Sequence, residues 1–399
     1  MPKAKTLKLK WLALASLLNS TGAAFLWPLT TVFINKHLGE SLTVAGIVLF
    51  IMSITMILGN YLGGYLFDRW NAYFISVWGA IIATVAIILM IFFHNWPAFP
   101  VLICFVSFGD GICASAINSY GNFVPSKDTR FVYNMVYLAF NVGVVLGTLL
   151  VGILYPISID LTFIIASCFY IIFLLTILFC FNVPIHKRSK KKSISSHKVR
   201  GPQRIRITIV YTIFINLIMI YLAYALWESI MSVHITNLGI PFVAYSLLWT
   251  MNGAIIIIGQ PIISYFAPYI KLYKQIYAGL LLFTFSFIFL PFIHTLLGFT
   301  LDFIMLTIGD MLSVPGIPAW VSEITPINKS GRYQSLISST ISIGRAIGPL
   351  LGGIIIEAYS YNTLFITAFF LMLITFIPIT ITNHIYLKTN RVYTNKSND

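Results

Sequence analysis

Residues 43–67 read TVAGIVLFIMSITMILGNYLGGYLF, a run with no Asp, Glu, Lys or Arg from end to end. About 20 apolar residues suffice for a helix to cross the hydrocarbon of a bilayer, so this stretch alone spells a transmembrane helix. Working outward, the same signature recurs. Apolar runs bounded by Lys, Arg, Asn and Pro clusters predict spans at 11–35, 43–67, 73–94, 97–121, 131–154, 160–182, 208–232, 243–267, 273–294, 299–322, 332–357 and 362–385. The 399 residues are 58% apolar and 9% charged, against roughly 25% charged in an ordinary soluble domain. The longest stretch between spans, 183–207, is too short for a fused catalytic or nucleic-acid-binding domain.

The net charge of +14 then needs a cause other than nucleic acid. With both termini cytoplasmic, 23 of the 25 Lys and Arg fall at or beside cytoplasmic span ends; Lys36 falls outside and Arg345 inside span eleven. That bias is the positive-inside rule, so the charge reads as topology with some attraction to anionic lipid. Lys3, Lys5, Lys8 and Lys10 ahead of an apolar run imitate a secretory signal, but the run continues through Phe25, Leu26 and Trp27 past a signal's usual length and is expected to be span one. Cys104, Cys113, Cys168 and Cys180 lie in predicted spans without CxxC spacing, which points to reduced structural thiols and no metal. The seven histidines lie in loops or near span ends, where interfacial roles suffice.

The chain also repeats itself at an offset of about 200 residues. Trp27 and Gly39 match Trp227 and Gly239, Gly59-Asn60 matches Gly259-Gln260, and Gly109-Asp110 matches Gly309-Asp310. Pro125 matches Pro326 and Arg130 matches Arg332, and Gly143-x3-Gly147-x4-Gly152 matches Gly344-x3-Gly348-x4-Gly353. The expected domains are therefore an N-terminal six-helix half at 1–182, a basic cytoplasmic linker at 183–207, a C-terminal six-helix half at 208–385 and a cytoplasmic tail at 386–399. Two such halves in the same orientation are the architecture in which repeats rock about a midplane site.

Gly64-Tyr65-Leu66-Phe67-Asp68-Arg69, between spans two and three, resembles the start of the major facilitator superfamily signature GxLaDRxGRK. Asn71, Ala72 and Tyr73 stand where that family usually has Gly, Arg and Lys. The resemblance implies an all-α membrane protein of twelve transmembrane helices in two six-helix pseudo-repeats. It makes Gly64, Asp68 and Arg69 gating residues, with Asp68 latching the cytoplasmic start of span eleven near Gly331 and Arg332. Physically, a carboxylate there caps the positive end of a helix; an interfacial Asp-Arg pair that only anchors topology is the alternative. Span eleven carries Gly344-x3-Gly348-Pro349-x2-Gly352-Gly353, while span five has Thr148 at the place of the Pro in the family's antiporter signature. Small residues one turn apart also serve close helix packing.

Ionisable residues inside a bilayer are costly and are functional candidates by default. Asp110 in span four and Asp310 in span ten are repeat-related, Arg345 lies 13 residues into span eleven at a depth close to that of Asp310, and Glu228 sits towards the outer face in span seven. An apolar wall favours the protonated carboxyl and a guanidinium the ionised one, so geometry could switch protonation. Gly309-Asp310-x4-Pro315 with Trp320, Pro326 and Gly331-Arg332 resembles span ten of the drug/proton antiporter branch, whose multidrug members have Gly-Glu-x4-Pro. That resemblance implies a proton and cation site at Asp310, whereas Phe105 stands where the branch carries an Arg in span four. Asp310, Arg345, Asp110 and Glu228 are thus the proton-coupling candidates. Trp27, Asn19, Asn118, Tyr221, Tyr224 and Trp227 are the substrate-cavity candidates: aromatics near a carboxylate suit lipophilic cations, although helical stripes of aromatics also arise in core packing.

No GxxxxGK[ST] occurs, which argues against a self-contained ATP-driven pump. No loop combines the residues of a membrane acyltransferase or protease, so a multi-span enzyme is the remote alternative and no catalytic residue is assigned. The expectation is a cell-membrane secondary transporter with both termini cytoplasmic, monomeric, needing no cofactor, and exchanging small lipophilic or cationic compounds against protons within a lipid surround. The nearer alternative is a proton-coupled transporter of a polar metabolite such as a sugar or amino acid.

Overall fold

Ser41, Asn71, Ser158 and Thr295 each precede an apolar run, and each side chain accepts a free N–H in the first turn of a helix, from Val44, Tyr73, Leu161 and Gly298 at 3.2, 3.0, 3.3 and 3.2 Å. Such caps close the orphan donors of a helix start. In lipid the remaining backbone must satisfy itself, which leaves helices as the spanning element. The computed structural model describes residues 7–121, 123–124, 129–183, 203–266, 269–325 and 330–395. Its helices are α1 (Leu9–Val32), α2 (Leu42–Arg69), α3 (Ala72–Phe92), α4 (Ala98–Gly121), α5 (Thr129–Leu154), α6 (Ile159–Cys180), α7 (Gln203–Glu228), α8 (Ile230–Asn237), α9 (Phe242–Phe266), α10 (Leu272–Phe289), α11 (Leu296–Ser313), α12 (Ile317–Ile324), α13 (Ser330–Ala358) and α14 (Tyr361–Asn395). Among the described residues, twelve segments are long and apolar enough to cross a membrane.

Two spans are broken where the sequence reading drew one continuous run. The seventh stops at Glu228, and α8 begins after Ser229. The tenth passes through a 3-10 turn at Val314–Gly316, because Pro315 cannot donate within a helix. Gly39 and Gly239 adopt φ of 74° and 81°, ending the π-helical turn Phe33–His37 and α8 in the left-handed conformation that only glycine enters freely. The matched pair read in the sequence as a repeat is thus one device used twice.

One compact unit holds α1 to α6 with Glu228–Ile257; the other holds α7 through Trp227 with the chain from Ile258 onward. In the first, α4 packs on α2 and α3, and α1 on α5 and α6. Their core includes Leu12, Ala80, Ile117, Tyr120 and Phe173, all buried. Glycine sets the closest approaches. A Cβ on Gly109 would sit 2.6 Å from the Gly79 carbonyl oxygen, and Gly143 and Gly147 lie against the α1 backbone at Leu17 and Thr21. In the second unit, Gly309 lies against Gly279 and Phe283 in the same way, and Gly344 and Gly348 lie against α7 at Ile218 and Leu222. The repeat is therefore a repeat of packing.

Exposed residues include Trp78, Val85, Phe179, Ile258 and Phe292. An apolar exterior is what a lipid solvent demands. Trp70, Trp96, Tyr265 and Tyr269 are exposed near span ends, where amphipathic rings sit at headgroup level.

Candidate functional site

The first unit gathers polar side chains from two helices around one acid on a third. Gly109 brings α4 close to α3, and the next residue, Asp110, is 6% exposed. Tyr170 on α6 donates its hydroxyl to Asp110 Oδ2 at 2.8 Å, and Asn19 on α1 donates Nδ2–H to Oδ1 at 3.4 Å. Asn19 Oδ1 is buried and has no hydrogen-bond partner. Asn19 also forms part of the wall of a cavity of about 520 Å³, with Ser16, Ser20, Asn118, Ile117, Tyr137 and Phe140. Two of the sequence candidates, Asn19 and Asn118, thus share a cavity, and Asp110 stands behind its wall.

A second recess of about 10 Å³ brings Trp27 and Glu228 together with Pro28, Val144, Thr148 and Trp249. Tyr245 donates to the Glu228 carbonyl oxygen at 3.1 Å, fixing the break after α7. Thr148, standing where the antiporter signature has Pro, pairs its hydroxyl with that of Thr250 at 3.3 Å, and its carbonyl oxygen accepts from Ser246. Here Thr148 links α5 to α9.

In the second unit, the Arg345 guanidinium carbon lies 5.5 Å from the ring centre of Tyr221 and 5.4 Å from that of Tyr224. Gly344 allows this by bringing α13 against Tyr221 Cβ at 2.9 Å from an ideal Cβ position. Three candidates therefore meet, and the cation over these rings is the protein's own. Asp310 is half-buried on α11. Trp227 is fully buried, its ring centre 4.4 Å from that of Phe303. In the Gly64–Arg69 segment, Arg69 lies 4.5 Å over Tyr65 and a Cβ on Gly64 would meet Ser115 Oγ at 3.0 Å. The side chains of Asp68 and Arg332, which the latch would join, lie outside the described residues, as do Pro125 and Pro326 and most of the basic linker.

Two residues escaped the sequence reading. Tyr170 reads as one aromatic among many, and only the packing of α6 on α1 and α3, which brings its hydroxyl to Asp110, shows its role. Asp302 left a plain signal, a carboxylate in the apolar run of span ten; it is 4% exposed, and neither carboxyl oxygen has a hydrogen-bond partner.

Matched glycine packing in two helical units, twelve segments among the described residues long and apolar enough to cross a membrane, and buried polar groups beside a cavity are the makings of a membrane carrier. The sequence pattern of the Major Facilitator Superfamily matches residues 12–332 and 303–391, and the chain belongs to that superfamily. It is 33% identical over 380 residues to a Bacillus subtilis (strain 168) protein named "Uncharacterized MFS-type transporter YttB", covering 94% of each chain. A second B. subtilis protein, "Uncharacterized MFS-type transporter YqjV", is 22% identical over 350 residues, covering 83% of this chain and 82% of that one. Among solved structures, a POT family transporter in complex with 5-aminolevulinic acid superposes with a TM-score of 0.79 at 14% identity, covering 96% of both chains. A bacterial homologue of the human lysosomal transporter Spinster, inward-facing and occupied, gives a TM-score of 0.75 at 14% identity over 96% of this chain and 97% of that one. These likenesses establish the fold. The protein is a multi-pass secondary transporter of small molecules and not an enzyme.

Proposed function

We propose that this carrier expels small lipophilic or cationic compounds in exchange for protons, as drug/proton antiporters do, by alternating access. The observation that carries the reading is the buried Asp110, held by Tyr170 and Asn19 behind the wall of a cavity lined by both apolar and uncharged polar side chains. A carboxyl in that place can exchange a proton when the carrier changes state, and a cation is favoured beside its ionised form. Asp310 and Arg345 supply a second switch in the C-terminal half, with Glu228 beside Trp27 as a further acidic site. Gly64, Asp68 and Arg69 bias the cytoplasmic gate. Both termini face the cytoplasm of the cell membrane, as the distribution of Lys and Arg supports, and the working unit is a monomer.

The test is flux in vesicles under an imposed proton gradient, run over cationic dyes and neutral sugars. Gradient-dependent expulsion of dyes is expected, with no movement of sugars. Gradient-driven sugar uptake without dye transport would replace this reading with that of a metabolite symporter.

A further inference from the structure

We propose that Asn19 is an amide relay that makes donor-bearing ligands in the first unit's cavity compete with a proton on Asp110, although ligand and proton never share an atom. The proposal rests on the proton-exchange reading above and adds the residue and ligand chemistry by which exchange is enforced.

Asn19 is a shared wall. One end of its amide donates to Asp110 Oδ1 at 3.4 Å, and the other, Oδ1, lacks a donor. Its residue lines the cavity of about 520 Å³. A side-chain amide has a donor end and an acceptor end, and an ionised carboxylate accepts only. With Asp110 ionised, Nδ2 must therefore face the acid, and Oδ1 is the end left for an N–H or O–H brought by a ligand. A buried acceptor without a donor costs roughly 1–3 kcal/mol, which a ligand donor recovers.

A proton taken up on Asp110 Oδ1 reverses the demand. The acid now donates, so the amide turns about its last side-chain bond to present Oδ1 to Asp110. Nδ2 then takes the place of Oδ1, and a ligand donor meets a donor. Tyr170 stays on Asp110 Oδ2 at 2.8 Å in both states and keeps the carboxyl plane fixed. The surroundings leave the switch to these groups. Among the described residues, the titratable side chains facing the carboxyl are Tyr170 from α6 and Cys113 from its own helix. α2 approaches α4 here through Met56 and Asn60, beside Gly111, and α3 through Gly79 and Ala83, beside Gly109, all uncharged. Asn19 faces it from α1.

The ligand class follows: small amphipathic molecules that pair an apolar body with an N–H donor, such as amines and aromatic amines. Two cationic probes separate the relay from general cation binding: ethidium, which carries amino donors, and tetraphenylphosphonium, which has none. Equilibrium binding to the purified full chain in detergent needs no transport, so its outcome is independent of the vesicle flux test. Native protein should bind ethidium more weakly at pH 6 than at pH 8, while tetraphenylphosphonium changes less. Asn19→Leu should weaken ethidium at pH 8 by roughly tenfold, the scale of one hydrogen bond to a cationic donor. It should also remove the extra pH dependence of ethidium and cost tetraphenylphosphonium, which brings no donor, much less affinity than ethidium, while thermal unfolding in detergent reports that the variant is folded. Asp110→Asn should remove the same extra pH dependence. Parallel loss of both probes in Asn19→Leu, pH-dependent discrimination surviving in that variant, or no ethidium binding by the native chain overturns the relay.

Discussion

The Tyr170 ring lies against Gly22 while its hydroxyl reaches Asp110: an ideal Cβ on Gly22 would come 2.6 Å from Tyr170 Cε2, and the phenol donates to the acid at 2.8 Å. Helix α1 therefore sets where the phenol points, although the bond itself joins α6 to α4. Tyr170→Phe deletes the bond and should cost on the order of 1 kcal/mol of stability, the usual scale of a polar contact between membrane helices. Because the phenol favours the ionised acid, its loss should move the pH optimum of transport upward. Gly22→Ala should reproduce that pH shift by pushing the ring aside. An unchanged pH profile in both variants would remove Tyr170 from the coupling machinery.

The glycines divide into those that meet backbone and those that meet a rotatable side chain. Gly109→Ala would drive a methyl to 2.6 Å from the Gly79 carbonyl oxygen, and Gly309→Ala one to 2.6 Å from the Phe283 nitrogen. Neither backbone can yield cheaply, so each should lose roughly 1–3 kcal/mol. Gly64→Ala meets only Ser115 Oγ at 3.0 Å, which can rotate. Thermal unfolding in detergent should place Gly64→Ala near the native protein and the other two well below it.

Much of this architecture was legible because lipid imposes a length and a composition on every span, and because packing glycines were kept in both halves. The pairs Gly79–Gly109 and Gly279–Gly309 convert a sequence offset directly into a contact. Lateral partners were not legible. In a bilayer both faces of a helix are apolar, so hydropathy identified α6 without showing that Tyr170 turns inward to Asp110. The break at Glu228–Ser229 was hidden for a related reason, since α8 continues the apolar run. The sequence places Arg345 only at a depth close to that of Asp310; its stacking over Tyr221 and Tyr224 needed the register of α13 against α7.

Sidedness rests on charge and can be checked at exposed positions. Tyr269, between α9 and α10, is 79% exposed, and Ile157, between α5 and α6, is 68% exposed. In a background without the native cysteines, Tyr269→Cys should be labelled by an impermeant thiol reagent only from the cytoplasm. Ile157→Cys should react only from outside. The opposite pattern would invert the topology.

Asp302 gives a prediction of the opposite sense to most charged substitutions. Both carboxyl oxygens are buried without a hydrogen-bond partner, so removing them abandons no contact. Asp302→Leu should therefore unfold at a temperature equal to or above that of the native chain. A large loss of stability would mean that the acid is held by an interaction formed in another state of the carrier.

The sharpest expectation concerns Asp310 and Arg345. Arg345 stacks on Tyr221 and Tyr224, a contact on the order of 0.5–2 kcal/mol for a cation over an aromatic face. A guanidinium held this way has a place to rest when it leaves a carboxylate. In the proposed cycle it satisfies Asp310 in one state and the tyrosines in the other, and the acid binds its proton when the guanidinium departs. Asp310→Asn imitates the protonated acid permanently, so proton-driven flux should vanish while downhill substrate exchange persists. Arg345→Ala removes the charge that favours the ionised acid and should shift the pH optimum of transport upward. Tyr221→Leu with Tyr224→Leu removes the resting place and should slow turnover with Asp310 intact. A purely structural pair predicts a different result: loss of folded protein in either single charge variant, and recovery when Asp310→Arg is combined with Arg345→Asp. Normal proton-driven transport by a folded Asp310→Asn protein would end the coupling role for this acid and leave it to Asp110 and Glu228.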